Sequence, residues 1–482
     1  AGSTVTISGL RGSTTMNNDS LGVASTDSKL GEAGAWTQST GTLVLTVAAG
    51  GTTVTTSYEV RFSLDNPSCS QAAPTLNVEA AIQDNGAIAS AVMTSPVDAL
   101  YGVASGLKPL EVLVPAFTVQ SIEQSTPFVG ASNTLTVTLT SNYDLADGST
   151  VTISGLTGSQ TEGTVLLVAS TSGLLGSTGT WTQAGTLVLT AASGGPSHGK
   201  WVEVSFSLIN NAAPQEAVTA QVEAAIGSGG AVGSIMLGDL TVLSTPQYEV
   251  SNGYGPLLVV EPLFSVKAIG QSTPIPSATN TMSVTLTSTT HQATAGSIVT
   301  ISGLAGSATV TGSLPMGASS SGLLGSSGDW DSNGILTLTV AAGGLSKDTA
   351  YVAMFNLTNP AGALTSPTVN VMATLVDGGV TVGSITQVAM TAPNSALYGV
   401  LNGANPLQVV VPMFDTKSIQ QSTPVSGVAN TLTAKLKSNY ALVAGSTVTI
   451  SGLRGSTTMN NDSLGVASTD SKLGEAGAWT QS

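Results

Sequence analysis

Side chains able to do chemistry are few in this 482-residue chain, and their spacing argues against a reaction centre. A reaction centre needs titratable groups that converge. The two histidines, His198 and His291, sit in turns whose counterparts elsewhere in the chain carry none. Both are read as loop-surface residues rather than as a ligand set. The single cysteine, Cys69, allows neither an intramolecular disulfide nor a cysteine-based zinc site. It reads as a free thiol in a loop, with an intermolecular crosslink as the alternative. Asp19, Asp27 and Glu32 share one Gly-rich loop, which raises calcium, a cation that takes about six to eight oxygens. The counterparts of Asp27 are Ser172 and Ser321, and those of Glu32 are Ser177 and Ser326. The loop therefore works elsewhere without its acids and reads as solvated. No Gly-x-Ser-x-Gly elbow comes with a supporting histidine and acid, and no Gly-x-x-x-x-Gly-Lys-Ser/Thr phosphate loop occurs. No catalytic residue, metal, cofactor or nucleotide is expected.

Two residue series remain. Trp36, Trp181, Trp330 and Trp479 recur at one position of successive repeats. Exposed indoles would suit sugar stacking, but recurrence at a strand position favours core packing. Three sequons could accept N-linked glycans, at Asn18, Asn356 and Asn461, whereas Asn66 is blocked by Pro67. Asn356 lies between inward Phe355 and Leu357, so it is predicted to face outward, in the slot held by Ser63 and Ser207 in the sibling repeats.

The elements that position these residues repeat. Gly-Ser-Thr-Val-Thr-Ile-Ser-Gly-Leu starts at Gly2 and returns at Gly148, at Gly296 (with Ile298 for Thr) and at Gly445, so the spacings are 146, 148 and 149 residues. Gln-Ser-Thr-Pro turns ending at Pro127, Pro274 and Pro424 keep the same beat, as do Phe117, Phe264 and Phe414. Residues 444–482 repeat residues 1–39 without a change, which implies a super-repeat of 443 residues made of three sub-repeats. The expected organisation is a partial repeat over 1–114, complete repeats over 115–261 and 262–411, and a partial repeat over 412–482. A longer parent polypeptide, or an array whose ends are shared between subunits, is expected. Any targeting signal is expected to lie outside this stretch, which opens Ala-Gly-Ser-Thr, or to have been removed.

Within a repeat, apolar and polar residues alternate, the mark of half-buried strands. Leu135, Val137 and Leu139 alternate with threonines, and Val151 with Ile153 begins the next strand. A long Gly/Ser-rich loop is expected after it. Leu187 and Leu189 follow the tryptophan, then Val202, Val204, Phe206 and Leu208, with further strands near Val218–Ile226 and Leu257–Val260. Thr and Val dominate, as strands prefer. The fold class is all-β: tandem immunoglobulin-like β-sandwich repeats of about 148 residues. These phrases resemble the tandem Ig-like repeats of large adhesins and giant extracellular proteins. The run from Ser-Thr-Pro through Asn-Thr-Leu-Thr-Val-Thr-Leu-Thr to Gly-Ser-Thr-Val-Thr-Ile-Ser-Gly-Leu looks like Thr/Ser-rich repeats in secreted proteins of microalgae and other protists. The resemblance implies surface fibres of the mastigoneme kind.

Composition narrows the function classes. Charged residues are 8% of the chain, against about 25% in ordinary domains, while 41% is hydrophobic, so the chain folds. The net charge is −15, with 27 acidic and 12 basic residues, and no basic stripe exists for nucleic acid. No apolar run is long enough to span a membrane as a helix. The expected role is a structural extracellular filament, surface hair or sheath, with an adhesin stalk or glycan-binding array as the alternative. The expected partners are copies of the chain itself, head-to-tail and laterally, and covalent glycans.

Overall fold

The structure, a computed structural model, describes residues 2–84, 86–228, 231–317 and 322–481. Alternating Thr/Val segments pair into antiparallel ladders, because each strand buries one face and bonds its backbone to its neighbours. The central repeat shows the design in full. Its strands are β1 (Phe117–Gln124), β2 (Ser132–Ser141), β3 (Thr150–Ser154), β4 (Val165–Ser170), β5 (Thr178–Thr182), β6 (Thr186–Thr190), β7 (Trp201–Ile209), β8 (Gln221–Ser228), β9 (Ala231–Asp239) and β10 (Thr241–Val242).

One sheet runs β10-β1-β2-β7, with β10 parallel to β1 and the rest antiparallel. The other runs β5-β6-β3-β8-β9. Strand β4 links them. Its first half pairs with β5 and its second half with β7. Since β2 and β3 lie in opposite sheets, the chain crosses over the core, giving an immunoglobulin-like sandwich. Leu135 and Val137 of one sheet meet Val151, Ile153, Leu187 and Leu189 of the other in one fully buried cluster. The third repeat repeats this plan over strands from Phe264–Gln271 to Val380–Ala389, around Met282, Val284, Val299, Ile301 and Leu336.

Two expectations need correction. The stretch after β3 is not all loop, because Val165–Ser170 forms β4, with Leu166 and Val168 buried. Residues 257–260 are not a strand, although Val259 bridges to Gln215.

The two ends of the chain hold complementary parts of this plan. The first carries a seven-stranded sheet from Thr4–Ser8 to Gly86–Val92, the counterparts of β3 to β9. The last carries a hairpin, Phe414–Gln421 with Leu432–Ser438, the counterpart of β1 and β2, and a second hairpin, Asn461–Gly465 with Ala476–Trp479. The identical segments differ in how much of them is paired and buried: the strand Asn18–Ser25 of one is Asn461–Gly465 in the other. Thr4–Ser8 is a strand between Thr42–Thr46 and Asn77–Ile82, whereas residues 447–451 are not. The local hairpin, however, keeps its register in both places, Asn18 opposite Trp36 and Asn461 opposite Trp479.

Candidate functional site

Two recurring constellations organise the repeats, a clamp of neutral amides inside each sandwich and a backbone contact between successive ones. The first is a buried amide clamp at the Gln-Ser-Thr-Pro turn. Gln124 ends β1, Asn133 opens β2 and Asn210 follows β7, so the sandwich brings all three to one end. Asn133 Nδ2 donates to Gln124 Oε1 and to Asn210 Oδ1, both at 2.8 Å. Asn133 Oδ1 accepts from the backbone of Ser125 (3.1 Å) and Thr126 (3.3 Å). Gln124 Nε2 donates to the carbonyls of Gly253 (2.9 Å) and Leu258 (3.0 Å), and Asn210 Nδ2 to those of Thr126 and Phe128. All three side chains are buried, and such a network is stable only when every member is satisfied. Gln271, Asn280 and Asn359 rebuild it in the third repeat, with amide contacts of 2.7 and 2.9 Å.

The second constellation is the joint between successive repeats. In each case a tight turn puts a tyrosine at positive φ: Tyr101 (51°), Tyr248 (52°) and Tyr398 (52°). The tyrosine carbonyl then accepts the backbone N–H of Asp144 (3.0 Å), Gln292 (2.8 Å) or Ala441 (2.8 Å) in the following repeat. Left-handed backbone costs a non-glycine residue about 1–3 kcal/mol, so the turn is held by its surroundings. Gly102 shows how close the elements approach. With φ at +78°, a Cβ there would lie 2.4 Å from His198 Cβ and 2.6 Å from Asp144 Oδ1.

The middle joint carries more. Phe128 of the second repeat is buried in the third repeat's core, its ring stacked on Tyr248 and edge-on to His291, both at 5.5 Å between centroids. Thr126 Oγ1 donates to the Val382 carbonyl (2.7 Å), and a Cβ on Gly383 would lie 2.6 Å from the Phe128 ring. Tyr248 Oη donates to Asp377 (3.1 Å); burial first, then the Asp377 carboxylate, hold this phenol well above its usual range. A polar groove of roughly 330 Å³ opens beside it, lined by Glu123, Gln247, Tyr254 and Asp377 among others.

His291 is therefore not a loop-surface residue, which corrects the sequence reading. It is fully buried, its Nδ1 beside Ser288 Oγ (2.9 Å) and Thr290 Oγ1 (3.0 Å), and desolvation drops its pKa to about 4. It stands where the siblings have Tyr143 and Tyr440, which is why its turn has no histidine relatives. His198 is exposed, and its backbone N–H donates to Asp144 Oδ1 (2.7 Å) at the first joint.

Trp36, Trp181 and Trp330 are at most 2% exposed, and each indole N–H donates to a carbonyl, of Thr15, Thr161 and Thr309. Trp479 makes the same bond to Thr458 but is only half-buried. Asn18, Asn356 and Asn461 are exposed; Asn356 Oδ1 accepts from Thr281 Oγ1 (2.8 Å) across the strand pair. In the Asp27 loop, Glu32 Oε1 accepts from Ser28 Oγ (3.1 Å); the Ser321 counterpart lies outside the described residues. Among the described residues, no group of three or more His, Cys, Asp or Glu side chains is placed to hold a metal ion. Cys69 is exposed with its thiol free.

The Gln-Ser-Thr-Pro turn stands out in the sequence as a landmark, whereas the clamp built on it does not. The signal was there: Gln124, Asn133 and Asn210 all have identical residues at the same repeat positions. The joints left only Tyr-x-Val as a trace. No family model and no curated protein matches this chain. Among solved structures, it is similar to the C-terminal domain of the AgI/II polypeptide BspA of Streptococcus agalactiae (8% identity, TM-score 0.29, 56% of this chain and 98% of that one). It is also similar to the serine-rich repeat protein Srr2 of Streptococcus agalactiae (9%, 0.16, 58% and 97%) and the collagen adhesin CNA of S. aureus (9%, 0.17, 57% and 90%), likenesses too distant to carry a functional argument.

Proposed function

We propose that this chain is a non-catalytic spacer of an extracellular surface structure, a stalk or filament of immunoglobulin-like sandwiches held in fixed head-to-tail order. The observation that carries this reading is the joint. The same tyrosine carbonyl bond, on the same strained turn, recurs at three successive boundaries. A flexible tether has no use for a repeated strained contact, whereas a stiff array needs one. Low charge and exposed Thr-rich faces suit lateral contact with further copies or a coat of glycans at Asn18, Asn356 and Asn461. A surface hair or sheath is the finer form of this proposal. Negative-stain electron microscopy of the purified chain tests it. Particles with a constant angle and spacing between beads are expected, and beads at random angles would overturn it.

A glycan-binding role has one specific observation in its favour, the groove at the middle joint. Gln247 and Tyr254 line it where the sibling repeats have Leu100 and Leu397, Leu107 and Ala404. Binding to a glycan array that is lost in Tyr254→Ala would establish that role.

A further inference from the structure

We propose that the polar groove at the middle joint takes a sugar through a protonated amine, so that it selects free amino sugars over neutral or N-acetylated ones. The proposal rests on the glycan-binding reading of that groove and names the chemical class of its ligand.

The donors around the groove are already engaged. Gln247 Nε2 gives its protons to the carbonyls of Gln124 and Ser125, each at 3.0 Å. Tyr248 Oη gives its proton to Asp377 (3.1 Å), and burial with that carboxylate keeps the phenol protonated. The amide of Gln124 is held by the carbonyls of Gly253 and Leu258. The hydroxyls of Thr134 and Thr136 pair with those of Ser207 and Ser205, both at 3.2 Å. Apart from the Tyr254 hydroxyl, which can donate or accept, the side-chain groups left over only accept. They are the carboxylates of Glu123 and Asp377 and the Oε1 of Gln247.

Gln247 is the independent sign that a donor is missing. The residue is 7% exposed, and its Oε1 is buried with no hydrogen-bond partner among the described residues. An acceptor left unmet in a buried place is costly, and the sibling repeats avoid that cost with Leu100 and Leu397. A ligand N–H would meet it.

Charge and shape narrow the ligand. Glu123 belongs to the second repeat and Asp377 to the third, and no lysine, arginine or histidine lines the groove. Glu123 stands where the siblings have Gly270 and Gln420. Tyr248 and Tyr254 border the same space, and aromatic faces attract cations. At roughly 330 Å³ the groove has the size of a small-molecule site. A lysine side chain would bring an apolar stem that seeks an apolar wall, whereas Thr134, Thr136 and Gln247 offer polar ones. A hydroxylated ring suits them better. A calcium ion would want about six to eight oxygens, and only two carboxylates stand here, one already bonded to Tyr248.

Calorimetric titration of the full chain tests this at about pH 6, where an amine is protonated. A glucosamine hexamer is expected to bind about tenfold more tightly than an N-acetylglucosamine hexamer, because its bonds to the carboxylates are charge-assisted. Glu123→Gln and Asp377→Asn should each weaken the glucosamine hexamer several-fold, and together they should erase the preference. Glu123 is half-buried and Asp377 exposed, so unchanged circular dichroism and melting should show that both variants fold. Equal affinity for the two hexamers, lost in Tyr254→Ala, overturns the amine selection and leaves the glycan-binding reading standing. Binding of a lysine hexapeptide or of calcium chloride, with neither hexamer bound, overturns both. So does the absence of binding by every probe.

Discussion

At the scale of single residues, burial rather than reactivity decides what the unusual side chains do. His291 is the clearest case. Its folded pKa of about 4 lies below the ordinary 6.5, with desolvation as the cause. Between these values the unfolded chain binds the extra proton and the folded chain does not, so stability rises with pH across the window. The contribution is intact above about pH 6.5 and falls as pH drops toward 4, by up to about 3 kcal/mol in all. His291→Tyr, which installs the sibling residue, is expected to flatten unfolding stability between pH 6.5 and 4. Equal pH slopes for both proteins would show that the imidazole does not titrate there. Asn133 makes the matching point for a neutral group. Asn133→Ala strips partners from Gln124 and Asn210 in a dry site, so a loss of about 3 kcal/mol is expected in chemical denaturation, as large as a core truncation. A change below about 0.5 kcal/mol would mean that water replaces the amide.

At the scale of elements, most strands were legible because Thr/Val alternation states both the strand and its inward face. Leu135, Val137 and Leu139 are buried as their spacing requires. The strand Val165–Ser170 was not legible, because it changes sheets midway. Its residues Val165 and Leu167 are exposed while Leu166 and Val168 are buried, and Gly and Ser crowd both flanks. The clamp was half legible. Recurrence marked its residues, but only the sandwich reveals that three amides far apart in sequence share one site. The duplicated segment isolates what sequence alone does. Its hairpin forms in both copies, so it is locally encoded, while Thr4–Ser8 needs partners on both sides.

At the scale of the whole molecule, the question is whether repeats act as beads or as a beam. Each sandwich has its own core, so the answer lies in the joints. The middle joint inserts Phe128 into the next core, and Gly383 leaves no room for a side chain against that ring. Backbone bonds alone, such as that from Gln292 to the Tyr248 carbonyl, would tolerate rotation, because a single hydrogen bond is worth only about 1 kcal/mol. An inserted aromatic ring resists it, because bending must expose the ring and open a cavity at a cost of about 3–5 kcal/mol. Phe128→Ala should therefore loosen the middle joint while leaving both flanking sandwiches folded. Small-angle scattering should show a broader distribution of end-to-end distances, and Trp181 and Trp330 fluorescence should stay unchanged. An identical scattering profile would place the stiffness in the strained tyrosine turns instead. In that case Gly102→Ala, which drives a methyl into His198 and Asp144, should bend the first joint where Phe128→Ala failed to bend the second.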